Sequence, residues 1–154
     1  MTILYIDADA CPVKDEALAV AARHGVETVL VTDGGIRPPR GANARLVIVP
    51  PGPDAADDWI AQHIAAGDVC VTNDIPLAAR CLEKAARAIK PNGQAFTRDG
   101  IGMALANREL MQRLRETGEI TGGPGTFSKA DRSAFLNGLE VAVQAAKRDI
   151  SASK

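Results

Sequence analysis

The segment T-I-L-Y-I-D-A-D-A-C-P-V-K at residues 2–14 places two carboxylates at the end of an apolar run. Residues 3–6 have the composition of a buried strand, and Pro12 stands where a helix begins. Asp7 and Asp9 therefore fall at the carboxyl end of a strand, the edge of an open parallel sheet where ligands bind. A carboxylate beside buried apolar residues must be solvated, paired or bound to a cation. We interpret Asp7 as a metal ligand or catalytic carboxylate; for Asp9, helix capping and a site role both fit the pattern.

The same arrangement recurs after a second apolar run. D-V-C-V-T at residues 68–72 is followed by Asn73, Asp74 and then Pro76, which predicts another strand, a carboxylate and a helix start. We expect Asp74 to lie beside Asp7. The other interpretation of Asp74 is an N-cap, and both roles coexist only if its two oxygens are shared between the helix and an ion.

A third carboxylate lies on the apolar face of a predicted helix. In the helix expected over residues 54–66, Asp57 shares a face with Ile60 and Ile64, whereas Asp58 points to the flank. The helix dipole stabilises carboxylates in a first turn and accounts for Asp58. Because a carboxylate on the buried face needs a partner, we assign Asp57 to the site.

Together these residues form an oxygen-only set without a His or Cys cluster. Such ligands suit Mg²⁺ or Mn²⁺, which keep several waters and add substrate phosphate oxygens. The chemistry indicated is metal-assisted phosphodiester hydrolysis, with a bound water of lowered pKa as nucleophile. Asp7, Asp57 and Asp74 are the expected ligands and catalytic residues, and Asp9 or Asp33 completes the shell or orients the water.

Basic residues in two loops are candidates for binding substrate phosphates. Arg37 and Arg40 lie on a loop stiffened by two prolines. Lys129 and Arg132 open the last helix after a glycine-rich stretch, where a phosphate site and simple helix capping are both consistent with the residues. Arg108, Arg113 and Arg115 are interpreted as the solvated face of a helix over residues 98–116.

The alternation of elements predicts an α/β fold with a mainly parallel sheet of about four to five strands flanked by helices. Residues 1–150 are expected to form a single domain, and residues 151–154 a frayed tail. The expected strands are 3–6, 27–32, 45–49 and 68–72, with a short edge strand at 94–97. The expected helices are 13–24, 54–66, 77–89, 98–116 and one beginning at 128.

Composition and charge limit the classes of protein to which this chain can belong. The net charge of −1 gives no overall basic field, although a local basic rim is compatible with it. Neither a signal segment nor an apolar run of the ~20 residues needed to span a membrane is present, so we expect a cytoplasmic protein that binds no membrane. Its three cysteines form no CxxC and are expected to be free thiols.

Three long sequence segments resemble those of a known family. I-D-A-D-A-C-P-V-K, V-T-N-D-I-P-L-A-A and G-G-P-G-T-F-S-K-A-D-R-S-A-F-L resemble the marker segments of the YaiI/YqxD family of uncharacterised bacterial proteins, and the resemblance spans nearly the whole chain. That family is similar to PIN-like and NYN-type nuclease domains, which implies a three-layer PIN-like fold and a nuclease. Their acidic positions correspond to Asp7, Asp57 and Asp74. Asn73 stands at a variable position and is a weaker site candidate. The resemblance itself assigns no role to the other matching residues: Asp9, Cys11, Pro12, Ser128, Lys129, Asp131 and Arg132.

The leading hypothesis is a nuclease that cleaves single-stranded RNA through a Mg or Mn ion. One alternative is a haloacid-dehalogenase-like phosphatase, in which Asp7 would be the nucleophile and Asp9 the general acid. Another is a non-catalytic nucleic-acid-binding module with the same fold. A thiol mechanism through Cys11 ranks below these, because Asp7 and Asp9 raise the thiol pKa and no histidine is adjacent. The residues leave the choice of RNA, DNA or nucleotide and the oligomeric state open.

Overall fold

In the part of the chain that the structure describes, five strands form one sheet in which all strand pairings are parallel. They are β1 (Ile3–Asp7), β2 (Glu27–Thr32), β3 (Ala44–Ile48), β4 (Val69–Val71) and β5 (Arg87–Ile89), in the spatial order β3-β2-β1-β4-β5. The helices are α1 (Lys14–His24), α2 (Ala55–His63), α3 (Ile75–Glu83), α4 (Arg98–Glu116) and α5 (Lys129–Ala152). The structure is a computed structural model that describes residues 1–8, 11–34, 43–52, 54–118 and 128–152. The α/β class predicted from the sequence is confirmed.

Helices cover both faces of the sheet and make three layers. Side chains of a strand alternate between faces, so Leu4 and Ile6 pack with α1 and α5, whereas Tyr5 packs with α2 and α3. Each face has its own buried apolar cluster. Strands covered on both sides are typical of parallel sheets, and the three layers are those expected of a PIN-like fold.

The strand β5 corrects the helix predicted over residues 77–89. The helix α3 ends at Glu83, and Ala85 adopts a positive φ of 63° that turns the chain back. Alanine favours helix, but Ala88 and Ile89 are buried when they pair beside β4, and that tertiary gain outweighs local propensity. The edge strand predicted at 94–97 is reduced to a single antiparallel bridge between Ile89 and Ala95.

The turn after β5 is held against α5 by two glycines. Gly93 has φ +91°, and a Cβ there would lie 2.2 Å from the carbonyl oxygen of Ala134. A Cβ on Gly138 would lie 2.4 Å from the Gly93 oxygen. This close backbone approach is open only to glycine, and it holds the turn at residues 90–93 against α5.

The ends of two helices differ from expectation. The second helix stops at His63 rather than residue 66, and α5 continues through Ala152, into the segment predicted as a tail. Residues 153–154 lie outside the described part of the chain. None of the described helices has the length and hydrophobicity to cross a membrane.

Candidate active site

The order of the strands creates a crevice at the carboxyl ends of β1 and β4. From β1 the chain moves outward through β2 and β3, and then crosses back to add β4 and β5 on the other side. In open α/β sheets, ligands bind at such a point, where the strand order reverses. Asp7 is the last residue of β1, and Asp74 follows β4. The alternation of β1 turns Asp7 to the same face as Tyr5, toward α2 and α3.

Thr72 joins the two carboxylate-bearing segments. Its hydroxyl donates a hydrogen bond of 3.1 Å to Asp7 Oδ2 and accepts one of 2.9 Å from the backbone N–H of Asp74. Thr72 is buried, with 2% of its surface exposed. The position of Asp7 relative to the start of α3 is therefore set by a buried hydroxyl, a role that the sequence analysis did not assign. Its only sequence signal is a threonine directly between an apolar strand and N-D.

Asp74 caps α3 and faces the site at the same time. Its Oδ1 accepts a hydrogen bond of 2.8 Å from the backbone N–H of Leu77, and its backbone is extended, as an N-cap requires. The Asp74 carboxyl also contributes to the raised pKa of the neighbouring Asp57. The N-cap interpretation of Asp74 is therefore confirmed, and its role as an ion ligand stays a prediction.

Asp57 brings a third carboxyl to this edge from the first turn of α2. It is half-buried on the face that carries the buried Ile60, whereas Asp58 is exposed and pairs with Arg80 at 2.6 Å. Burial, followed by the negative charges of Asp74 and Asp7, raises the pKa of Asp57 from 3.8 to about 7. When protonated, Asp57 donates a hydrogen bond to Asp74. The fold therefore holds three carboxyls close enough to repel one another when all are ionised.

A cavity of about 320 Å³ opens beside Asp7 and Asp74, whereas Asp57 is not among its lining residues. Its lining residues are Asp7, Cys11, Val71, Thr72, Asn73, Asp74, Pro91 and Arg108. The structure thus places Asn73, a weaker candidate, in the cavity wall. It also places Arg108 there, and this side chain is exposed, as expected for a solvated face.

The other candidate residues fall elsewhere. Asp9, Arg37 and Arg40 lie outside the described residues. Lys129 is exposed at the first position of α5 and does not line the cavity. Arg132 pairs with Glu16 at 2.6 Å.

The contacts at the start of α5 are those of helix capping. Arg132 donates to the Pro12 carbonyl at 3.5 Å, which ties α5 to the entry of α1. The Asp131 N–H donates to Ser128 Oγ at 3.1 Å, and the Ser128 N–H donates to Asp131 Oδ2 at 3.0 Å. This reciprocal pair is a capping box, the structural one of the two interpretations given for this segment.

Comparison with known protein families identifies the family of this chain. A family model described as "Uncharacterized BCR, YaiI/YqxD family" matches residues 5–145. The chain belongs to the YaiI/YqxD family. The carboxyls Asp7, Asp57 and Asp74 all lie inside the matched region, and so does Arg108.

Relatives from the same family match almost end to end. A UPF0178 protein of Parvibaculum lavamentivorans is 56% identical over 148 residues, which cover 96% of this chain and 97% of the relative. One from Rhodospirillum rubrum is 56% identical over 146 residues (94% and 97%), and one from Caulobacter vibrioides is 54% identical over 145 residues (94% and 95%). No solved structure matches the chain, so the similarity to PIN-like and NYN-type nucleases stays a prediction.

Cys11, in the first marker segment of the YaiI/YqxD family, lines the same cavity as Asp7 and Asp74. It is buried, and burial raises its pKa more than the N–H of Val13 lowers it. A neutral thiol is a poor nucleophile at neutral pH, which agrees with the low rank of a thiol mechanism. Cys11, Cys70 and Cys81 are all free and buried, as predicted.

The donor atoms of the three aspartates Asp7, Asp57 and Asp74 are of the kind that a hard divalent ion prefers. Across the described residues, no three His, Cys, Asp or Glu side chains form a ready-made coordination shell. Mg²⁺ commonly binds through one or two carboxylates together with waters and substrate phosphate oxygens. Asp7, Asp57 and Asp74 offer carboxylate oxygens, without the nitrogen or sulfur ligands typical of zinc.

Proposed function

We propose that this protein is a metal-dependent phosphodiesterase that cleaves single-stranded RNA, with Asp7, Asp57 and Asp74 as ligands of a Mg or Mn ion. One observation carries the proposal: three carboxyls from β1, α2 and the start of α3 converge at the reversal point of a parallel sheet. Mutual repulsion makes such a cluster costly unless it serves a cation.

Residues of this chain fix the positions of the carboxyls and set the charge of the site. Thr72 holds Asp7, and the capping bond to Leu77 holds Asp74, so neither carboxylate needs to reorganise when a ligand arrives. Without a cation, Asp57 relieves the repulsion by keeping a proton. When bound, a divalent ion lowers the pKa of its water and offsets charge on a phosphate.

The size and charge of the site favour a single strand as substrate. The cavity of about 320 Å³ is at the small end of ligand sites, which are roughly 300–1,000 Å³, and it suits one nucleotide rather than a duplex. Because the net charge is −1, local cations must supply the attraction for phosphates. Arg37 and Arg40 are proposed as these cations, and Asn73 in the cavity wall is proposed as a neutral hydrogen-bond partner of the substrate.

Single-turnover cleavage of matched RNA and DNA oligonucleotides tests the proposal. We expect cleavage of RNA with Mg²⁺ or Mn²⁺, none in EDTA, and a loss of at least about a hundredfold in Asp57→Asn. Asp58→Asn is the matched control, because this adjacent carboxylate is exposed and paired with Arg80. Cleavage that persists in EDTA or in Asp7→Asn would rule the mechanism out.

Two further outcomes separate the alternatives. Hydrolysis of phosphomonoesters with a phosphoryl group trapped on Asp7 would identify a haloacid-dehalogenase-like phosphatase. Metal-dependent RNA binding without turnover would identify a binding module. Either result would replace the nuclease proposal.

A further inference from the structure

Arg108 is an exposed residue of α4 that shares a helical stripe with partly buried residues of that helix. This stripe follows the i, i+3, i+4, i+7 spacing of a helix and consists of Ile101, Ala104, Leu105 and Arg108. Ile101 packs against the apolar cluster beneath α2 and α3, and both Ala104 and Leu105 are partly buried. One turn beyond Leu105 the same stripe reaches the cavity, and there the residue is an arginine.

The Arg108 side chain differs from other arginine side chains of the described structure in the partners that it contacts. Arg80 pairs with Asp58, Arg132 pairs with Glu16, and Arg98 donates to the Leu82 carbonyl. Within the described residues, the Arg108 guanidinium makes no ion pair and no hydrogen bond. An arginine that served only to neutralise Asp7 or Asp74 would be expected to pair with one of them.

We propose that Arg108 is a phosphate-binding residue of this cavity, donating guanidinium N–H groups to the non-bridging oxygens of a phosphate ester. The planar fork of arginine matches two oxygens of a phosphate. The carboxylates of Asp7 and Asp74, which line the same cavity, would repel such a ligand, and Arg108 acts with a divalent ion to offset them. This inference rests on the proposed function and adds to it a contact that α4 brings to the substrate.

The test measures RNA binding without metal and without cleavage. In an Asp7→Asn background with EDTA, one carboxylate charge is gone and no turnover occurs, so the affinity for a short fluorescein-labelled single-stranded RNA reports anion contacts. We expect Arg108→Ala to weaken binding about tenfold to a hundredfold, the range for a charge-assisted hydrogen bond. Arg108→Lys should recover part of the loss, because it keeps the charge but not the fork.

Arg113→Ala is the matched control, because Arg113 is an exposed arginine on the same helix that does not line the cavity. It should change affinity less than about twofold. Arg108 is itself exposed, so thermal melts of all variants should agree; Arg108→Gln replaces any variant that does not. Equal effects of Arg108→Ala and Arg113→Ala would overturn the inference.

The two proposals fail separately. Metal-dependent cleavage in the wild type, together with full RNA affinity in Arg108→Ala, would overturn only the role of Arg108. Loss of RNA affinity in Arg108→Ala, in a protein that cleaves nothing with Mg²⁺ or Mn²⁺, would support Arg108 and overturn the nuclease proposal.

Discussion

The Thr72 hydroxyl donates to the Asp7 carboxylate at 3.1 Å and so connects the carboxyl ends of two neighbouring strands. The same hydroxyl accepts the backbone N–H of Asp74. One buried oxygen therefore sets the separation of two proposed ligands, and its removal should affect both stability and activity.

We predict that Thr72→Val lowers the free energy of unfolding by about 1–3 kcal/mol, because it leaves the Asp74 N–H without its acceptor. Cleavage should fall about tenfold as Asp7 loses its fixed position. Thr72→Ser, which keeps the hydroxyl, should retain most of the stability and most of the cleavage activity. Urea unfolding and single-turnover assays measure the two effects; a Val variant as active as wild type would show that Asp7 needs no such support.

The raised pKa of Asp57 predicts how the metal-free protein responds to pH. The folded-state value of about 7 lies above the ordinary 3.8, so the folded protein binds the proton more tightly than the unfolded chain. This contribution is complete below pH ~4 and is lost as pH rises through 7. We expect metal-free stability to fall across that window by about 1–2 kcal/mol, since solvent screens a half-exposed carboxyl.

Asp57→Asn should remove this pH dependence and make the metal-free protein more stable at pH 8. Asp58→Asn, at the exposed neighbour, should leave the dependence in place. Thermal melts in EDTA between pH 4 and 8 test this; the same slope in wild type and Asp57→Asn would show that Asp57 is not the titrating group.

Replacing Asp74 can separate helix capping from metal binding. Asparagine is as good an N-cap as aspartate, so Asp74→Asn should retain stability yet weaken Mn²⁺ binding at least about tenfold by removing a charge. Asp74→Ala should also lose the cap and about 1 kcal/mol of stability. Calorimetry with Mn²⁺ decides it, and unchanged affinity in Asp74→Asn would remove Asp74 from the site.

Two aspartates near the sheet should respond oppositely to the same substitution. Asp7→Asn relieves carboxylate repulsion and should leave metal-free stability level or higher, while it abolishes cleavage. Asp68 instead accepts the N–H groups of Ile3 and Ala65, both at 2.9 Å. Asp68→Asn keeps one acceptor oxygen and should lose about 1–3 kcal/mol. Chemical denaturation compares them, and a clear loss of stability in Asp7→Asn would argue that Asp7 is structural.

The arginines of the proline-rich loop should contribute to RNA binding through charge. Replacing Arg37 and Arg40 together with Ala should weaken the binding of single-stranded RNA and flatten its salt dependence. Each lost phosphate contact is worth a slope change of about 0.7 in log K against log salt. Titrations at several salt concentrations give the slope, with Arg113→Ala as reference; an unchanged slope would make the loop purely structural.

The sequence alone determined the parallel α/β class and where the first two carboxylates would lie. A strand followed by aspartate and then proline is a local pattern, and parallel strands bring their carboxyl ends to one edge, so Asp7 and Asp74 could be expected together. The helical periodicity of residues 54–66 likewise predicts that Asp57 lies on the buried face of α2 and Asp58 on its flank.

The tertiary structure decided what local patterns leave open. An alanine-rich run that favours helix became β5 because pairing beside β4 buries Ala88 and Ile89. The role of Thr72 depends on Asp7, a contact between residues 65 positions apart in the chain. Arg108 shares a helical period with Ile101, but only the docking of α4 decides that this face passes over a cavity. Spacing along a helix defines which residues share a face, whereas packing against the rest of the chain decides what that face meets.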